Sequence, residues 1–126
     1  MNLRTPLKQA RGLGSAKHGV MHWWWQRLTG VALVPLTLWF VVSLLGMIGA
    51  EHAAVVSWIQ SPVVSLLLIL LMISLFHHAQ LGVQVVIEDY VHLGWLRVLS
   101  LVLVKFVAVT AAIAAIIAIL KVSLGL

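Results

Sequence analysis

The chain has no cysteine, one tyrosine and three acidic residues among its 126, and each shortage closes off a kind of chemistry. Without cysteine it forms no disulfide, thiolate metal site, iron–sulfur cluster or thiol nucleophile of its own, so a metal would have to be held by histidine or carboxylate. Only 9% of the residues are charged and 63% are hydrophobic, against roughly 25% and 45–50% in soluble domains. A soluble fold of that composition would lack the polar surface to cover itself, which makes a bilayer the expected solvent. A Gly-x-Gly-x-x-Gly fingerprint is also missing, which removes dinucleotide-dependent redox chemistry from this chain. The formal charge of +5 comes from eight Lys and Arg. They sit beside apolar runs and not on a soluble face, so they are a topology signal and no nucleic-acid partner is expected.

What is present is three long apolar stretches, approximately 28–50, 62–87 and 96–120, each near the ~20 residues that cross a hydrocarbon core as a helix. They are too long and too weakly alternating for barrel strands, and a helix satisfies its own backbone in lipid. The expected fold class is all-α: one membrane anchor domain over 1–126, with a basic segment over 1–27 followed by three transmembrane helices. Ser61 and Pro62 suit the cap and first position of the second helix. Pro35 should remove a backbone bond and bend the first. Gly46, Gly49 and the run Ala111 to Ala118 offer small surfaces for close helix contact. The loop from Glu51 to Ser61 contains no Lys or Arg, whereas Arg4, Lys8, Arg11, Lys17 and Arg27 precede the first span. The N-terminus is therefore expected in the cytoplasm and the C-terminus outside, with Lys121 a lone exception. Trp23, Trp24 and Trp25 fall where an interfacial aromatic belt belongs. Met1 to Arg27 lacks an apolar signal region, and Pro6, Gly12 and Gly14 interrupt a transit-type helix. A bacterial inner membrane is expected ahead of a mitochondrial one.

An ionisable side chain inside a span costs a few kcal/mol and normally faces protein or a cavity. His78 lies ten residues before Glu88, about 15 Å deep at 1.5 Å per residue and so near mid-membrane. Ser74, His78, Gly82, Val85 and Asp89 share one helical face, while His77 points about a quarter-turn away. An imidazole can ligate haem iron, and a glycine one turn on leaves room for the macrocycle. From spacing alone the same His is read first as a structural group bonded to a hydroxyl or carbonyl across a helix interface. One suitably aimed His supplies one axial ligand, so a haem would require a second from a partner or a second copy.

The run His78-Ala79-Gln80-Leu81-Gly82-Val83-Gln84-Val85-Val86-Ile87-Glu88-Asp89-Tyr90 resembles the second helix of the hydrophobic membrane anchor of succinate dehydrogenases, the small cytochrome b556 type. There a haem-ligating His precedes an Asp-Tyr pair by eleven residues, the separation of His78 and Asp89. Three spans, a short basic N-terminus and an Arg just before the first helix extend the resemblance over nearly the whole chain. It implies that His78 is one axial ligand to the iron of a b-type haem, the other coming from the larger cytochrome b anchor subunit, with which this chain would pack into one transmembrane bundle. It further implies that Tyr90 donates to a quinone carbonyl with Asp89 beside it, and that Arg27 lies near the haem propionates or the quinone pocket. A phenol suits the first task because it stays protonated at neutral pH, and a guanidinium suits the second because it pairs with carboxylates in a fork. Taken from the residues alone, Tyr90 is equally an interfacial anchor and Arg27 a positive-inside charge. His22 and the Trp triplet are candidate walls of the same pocket.

On this resemblance the chain does not catalyse alone. It would tether the flavoprotein and iron–sulfur subunits to the bilayer, hold half of haem b and form one wall of the site for ubiquinone or a related quinone. A fumarate reductase anchor would differ only in the direction of electron flow. A small transporter or assembly protein using His77 and His78 as a proton relay, or a structural anchor without cofactor, would show no haem absorbance.

Overall fold

The computed structural model describes residues 3, 5–11 and 17–126. Arg4, Gly12 and Gly14, and the side chains of Lys8, Arg11, Lys17 and His18, lie outside the described residues, so the structure does not bear on their part in the charge asymmetry. A short helix α1 (Pro6–Arg11) precedes α2 (Lys17–Gly46), α3 (His52–Gln60), α4 (Pro62–Tyr90) and α5 (Gly94–Ser123). Three helices are long and apolar enough to span a bilayer, over Gly19–Gly46, Pro62–Tyr90 and Gly94–Ser123.

These helices overshoot the hydrocarbon they cross. The 30 residues of α2 extend about 45 Å at 1.5 Å per residue, against a core of about 30 Å. Its start at Lys17 carries the Trp triplet, His22, Gln26 and Arg27 on the helix and not on a preceding segment. α2 runs unbroken through Pro35. The segment expected to be a loop between the first two spans contains α3, whose Trp58 stacks on Trp39 of α2 with ring centroids 5.9 Å apart. Pro62 begins α4 as expected, but Ser61 makes no side-chain cap. Its carbonyl instead receives the Ser65 amide at 2.9 Å.

α4 is the central element. It packs against α2 on one side and α5 on the other, and α3 touches both α4 and α5, while among the described residues α2 and α5 do not meet. Accordingly, among the described residues, α4 supplies all the buried ones except Thr29: Ser65, Leu68, Leu71, Gln80, Leu81 and Ile87. Its far end is fastened by Ser65, whose hydroxyl lies 2.6 Å from the Ile59 carbonyl and 2.7 Å from the Ser123 hydroxyl. The start of α4, the end of α3 and the end of α5 thus meet at one point. The α5 surface is mostly apolar, with Val98, Phe106, Val107 and Ile117 exposed, as befits a helix facing lipid or other helices, though Arg97 and Lys105 are exposed on it as well. Among the described residues Gly46 and Gly49 do not serve as a packing surface within this chain: beyond the adjoining backbone nothing lies within 4 Å of where a Cβ would stand at either, and Gly49 has φ +81°, the left-handed conformation of a turn. Ala108, Ala111 and Ala112 do lie along the α4–α5 groove, where their small side chains leave it open.

Candidate functional site at the α2–α4 seam

His78 lies two residues from the midpoint of α4, and its ring crosses the seam to α2. Nδ1 is 3.1 Å from the Thr29 hydroxyl, and Cε1 lies 3.4 Å from where a Cβ on Gly30 would stand. Thr29 is 7% exposed, and its oxygen is also 2.6 Å from the Trp25 carbonyl and 3.3 Å from that of Gln26. The imidazole is therefore held at one nitrogen and lies flush against a helix that has no side chain at that point. Among the described residues nothing hydrogen-bonds its other nitrogen, Nε2.

Gly82, one turn along α4, faces the same seam. A Cβ there would meet Gln26 Nε2 at 4.0 Å, so this glycine adjoins α2 and not an open lipid face. His22, Gln26 and Thr29 form the stripe of α2 turned toward α4, at the i, i+4, i+7 spacing of a buried face. Two atoms of that stripe, His22 Nε2 and Gln26 Oε1, are buried without a hydrogen-bond partner. Such groups ordinarily have one. His77 diverges from His78 as its register requires: its ring makes an edge contact with Trp25 at 5.5 Å and borders a groove of about 210 Å³ between α4 and α5.

Asp89 and Tyr90 close α4 and are exposed, Tyr90 at 78%. Arg27 is exposed as well, with its guanidinium carbon 5.3 Å from the centre of the Trp23 ring. Two residues from Thr29, Arg27 projects from roughly the opposite side of α2. No hydrogen bond or ring contact among the described residues joins Arg27, Asp89 or Tyr90 to His78. The antiparallel pairing of Gly30 with His78 and Gln26 with Gly82 sets the Arg27 backbone level with position 81 of α4, about 14 Å along the axis from Tyr90.

Two features escape a reading of the sequence. Thr29 is 49 residues from His78, and no local pattern pairs them. Gln80, Gln84 and Glu88 form a ladder up α4, with Gln80 Nε2 donating to Gln84 Oε1 at 3.1 Å and Gln84 Nε2 to Glu88 Oε1 at 3.0 Å. Their four-residue spacing is the available signal. Arg97 donates to the Glu88 carbonyl at 3.3 Å, which ties the start of α5 to the end of α4.

Such an architecture defines a polytopic α-helical membrane protein with one mid-membrane imidazole held at a helix seam. Residues 1–120 match the family model of the succinate dehydrogenase/fumarate reductase transmembrane subunit. Relatives include the succinate dehydrogenase hydrophobic membrane anchor subunits of Rickettsia bellii, 32% identical over 94% of each chain, and Paracoccus denitrificans, 33% identical over 71% of this chain and 70% of that one. The succinate dehydrogenase membrane anchor subunit of Reclinomonas americana is 30% identical over 74% of this chain and 80% of its own. No solved structure is a significant match. The chain belongs to the succinate dehydrogenase/fumarate reductase transmembrane subunit family, and its role is that of a succinate dehydrogenase membrane anchor.

Proposed function

We propose that this chain anchors a succinate:quinone oxidoreductase in a bacterial inner membrane, where it contributes His78 as one axial ligand of a haem b and Tyr90 to the quinone site. The flavoprotein and iron–sulfur subunits carry out succinate oxidation on the cytoplasmic side, and a second, cytochrome b anchor subunit completes the bundle. The supporting observation is the state of His78: at mid-span, fixed through Nδ1, with Nε2 free of any protein partner among the described residues.

The residues present fit a shared haem. A porphyrin brings four nitrogens of its own and needs one axial group from each side. Among the described residues no three His, Asp or Glu side chains converge, which suits a group needing a single ligand from this chain. The bare backbone at Gly30 is taken up by the His78 ring, which it seats against α2, so the ligand's plane is set by this chain. A haem bound there would supply a one-electron carrier within the bilayer, its potential set by the ligands and by burial. Arg27, level with position 81 of α4 and so about 4.5 Å along the axis from the His78 contact against about 14 Å from Tyr90, is closer in depth to a haem carboxylate on the partner's side than to the quinone. At the water boundary, the exposed Tyr90 phenol can donate to a quinone carbonyl while Asp89 orders its surroundings. The basic residues at and before the start of α2 and their lack in the α3 segment support a cytoplasmic N-terminus and a periplasmic C-terminus.

The test is a reduced-minus-oxidised visible spectrum of the complex purified with its natural partners, with and without His78→Ala. A b-type band that is lost or greatly diminished in the variant is expected. Absence of the band from the unaltered complex would exclude the haem assignment.

A further inference from the structure

We infer that Thr29 is a positioning residue that fixes the tautomer of His78, holding Nδ1 protonated so that Nε2 presents its lone pair to the haem iron. The inference rests on the haem assignment above and adds to it a residue on a different helix. A threonine hydroxyl has one proton and two acceptor lone pairs. At Thr29 that proton is committed within α2: the 2.6 Å approach of Oγ1 to the Trp25 carbonyl brings two oxygens together at a distance that is favourable only with a hydrogen between them. The 3.3 Å contact to the Gln26 carbonyl competes for the same proton and supplies none. What remains at Oγ1 is acceptor capacity, directed at His78 Nδ1 3.1 Å away. For that contact to be a hydrogen bond, Nδ1 must be the donor. A neutral imidazole protonated at Nδ1 is unprotonated at Nε2, and that is the form that ligates.

The geometry supports the same division of labour. Gly30, the residue after Thr29, stands beside Cε1 and Nδ1, 3.4 and 3.8 Å from where its Cβ would be, while Nε2 does not come within 4 Å of that point, so Nε2 is the ring nitrogen turned away from the hydrogen-bonded corner. Thr29 is 7% exposed, so the partner of Nδ1 is this hydroxyl and not bulk water. An acceptor on the far nitrogen of a ligating His also raises the basicity of the ligand and fixes its plane, and loss of such a partner typically weakens metal binding about 10- to 100-fold. Thr29→Val keeps the shape and removes the acceptor, whereas Thr29→Ser keeps both the proton and the acceptor.

The experiment uses the whole complex. Thr29→Val should lower haem content on dilution or detergent washing in line with a roughly 10- to 100-fold weaker site. It should also shift the midpoint potential upward, since a less basic ligand stabilises the oxidised iron less, and alter the low-spin electron paramagnetic resonance signal. Thr29→Ser should restore all three, and succinate oxidation with an artificial acceptor should persist in both. Wild-type haem retention, potential and resonance signal in Thr29→Val would overturn the inference. A nitrogen-15 histidine spectrum of the unaltered complex reads the tautomer even where the variant fails to assemble. A protonated, hydrogen-bonded Nδ1 at His78 supports the inference, and an unprotonated Nδ1 overturns it. If the complex contains no b-type haem at all, the haem assignment fails by its own test, while the nitrogen-15 spectrum still decides whether Thr29 orders the ring.

Discussion

The meeting of Ser65 with Ser123 gives a direct check on how the helices are assembled. Because the chain has no cysteine, the paired change Ser65→Cys with Ser123→Cys introduces its only two thiols. The two hydroxyl oxygens lie 2.7 Å apart, and the reach across a Cβ–S–S–Cβ bridge is close to that across the existing Cβ–O···O–Cβ contact, so a disulfide should close without helix movement. The bond would join positions separated by 58 residues. Loop-closure entropy for that separation is about 4 kcal/mol in the chain-entropy treatment. That figure is an upper bound, since helices retained in detergent already restrict the open chain. Against it stand the lost serine pair and the lost bond from Ser65 to the Ile59 carbonyl, each about 0.6 kcal/mol for an average hydrogen bond within a membrane protein and up to about 1.7. A net gain in resistance to detergent unfolding is expected. The site is at the end of α4 opposite Glu88 and Asp89, so with the N-terminus in the cytoplasm it faces the oxidising periplasm, and the bridge should form in cells without added oxidant. Maleimide labelling of denatured samples, with and without reductant, and mobility on a non-reducing gel provide the assay. Two free thiols after treatment with an oxidation catalyst would refute the α4–α5 arrangement. Thiols free in cells but bridged by the catalyst would keep the fold and invert the topology.

Gly30 and Tyr90 offer two further checks. A methyl at Gly30 would lie in ordinary contact with the His78 ring, 3.4 Å from Cε1, so Gly30→Ala should keep the b-type band. Gly30→Val places another carbon about 1.5 Å beyond Cβ, and overpacking of about 1–3 kcal/mol should displace the ring and diminish the band; equal bands in both variants would argue against a close seam. Tyr90→Phe should lower quinone reductase turnover roughly 2- to 10-fold, the worth of one neutral hydrogen bond, while succinate oxidation with an artificial acceptor continues. Equal loss of both activities would indicate failed assembly.

The sequence shows most clearly what a bilayer selects on. Three spans, their helical character and the depth of His78 follow from run length and rise per residue, and all of these are local quantities. Helix ends are less legible because hydropathy marks where lipid stops and not where hydrogen bonding stops. Hence the apolar run starts near residue 28 but the helix begins at Lys17, its first turns carrying tryptophans and polar groups through the interface. α3 hides in an expected loop because nine residues between two spans are too few to register as a membrane helix. Gly46 and Gly49 have the composition of packing glycines, yet Gly49 makes a turn, a role that depends on φ and not on size.

The site divides along the same line. His78, Gly82, Asp89 and Tyr90 occupy one helix, and the spacing along it suffices to relate them. Thr29 and Gly30 belong to another helix, and nothing local says that α2 lies beside α4 while α5 lies on its other flank. Composition and periodicity determined by themselves that this protein crosses a membrane three times with an imidazole at mid-depth, because insertion free energy is summed residue by residue. Only the tertiary structure decided which nitrogen of that imidazole is engaged and which has no partner among the described residues, because a hydrogen bond across a seam depends on the rotation and register of two helices packed against each other.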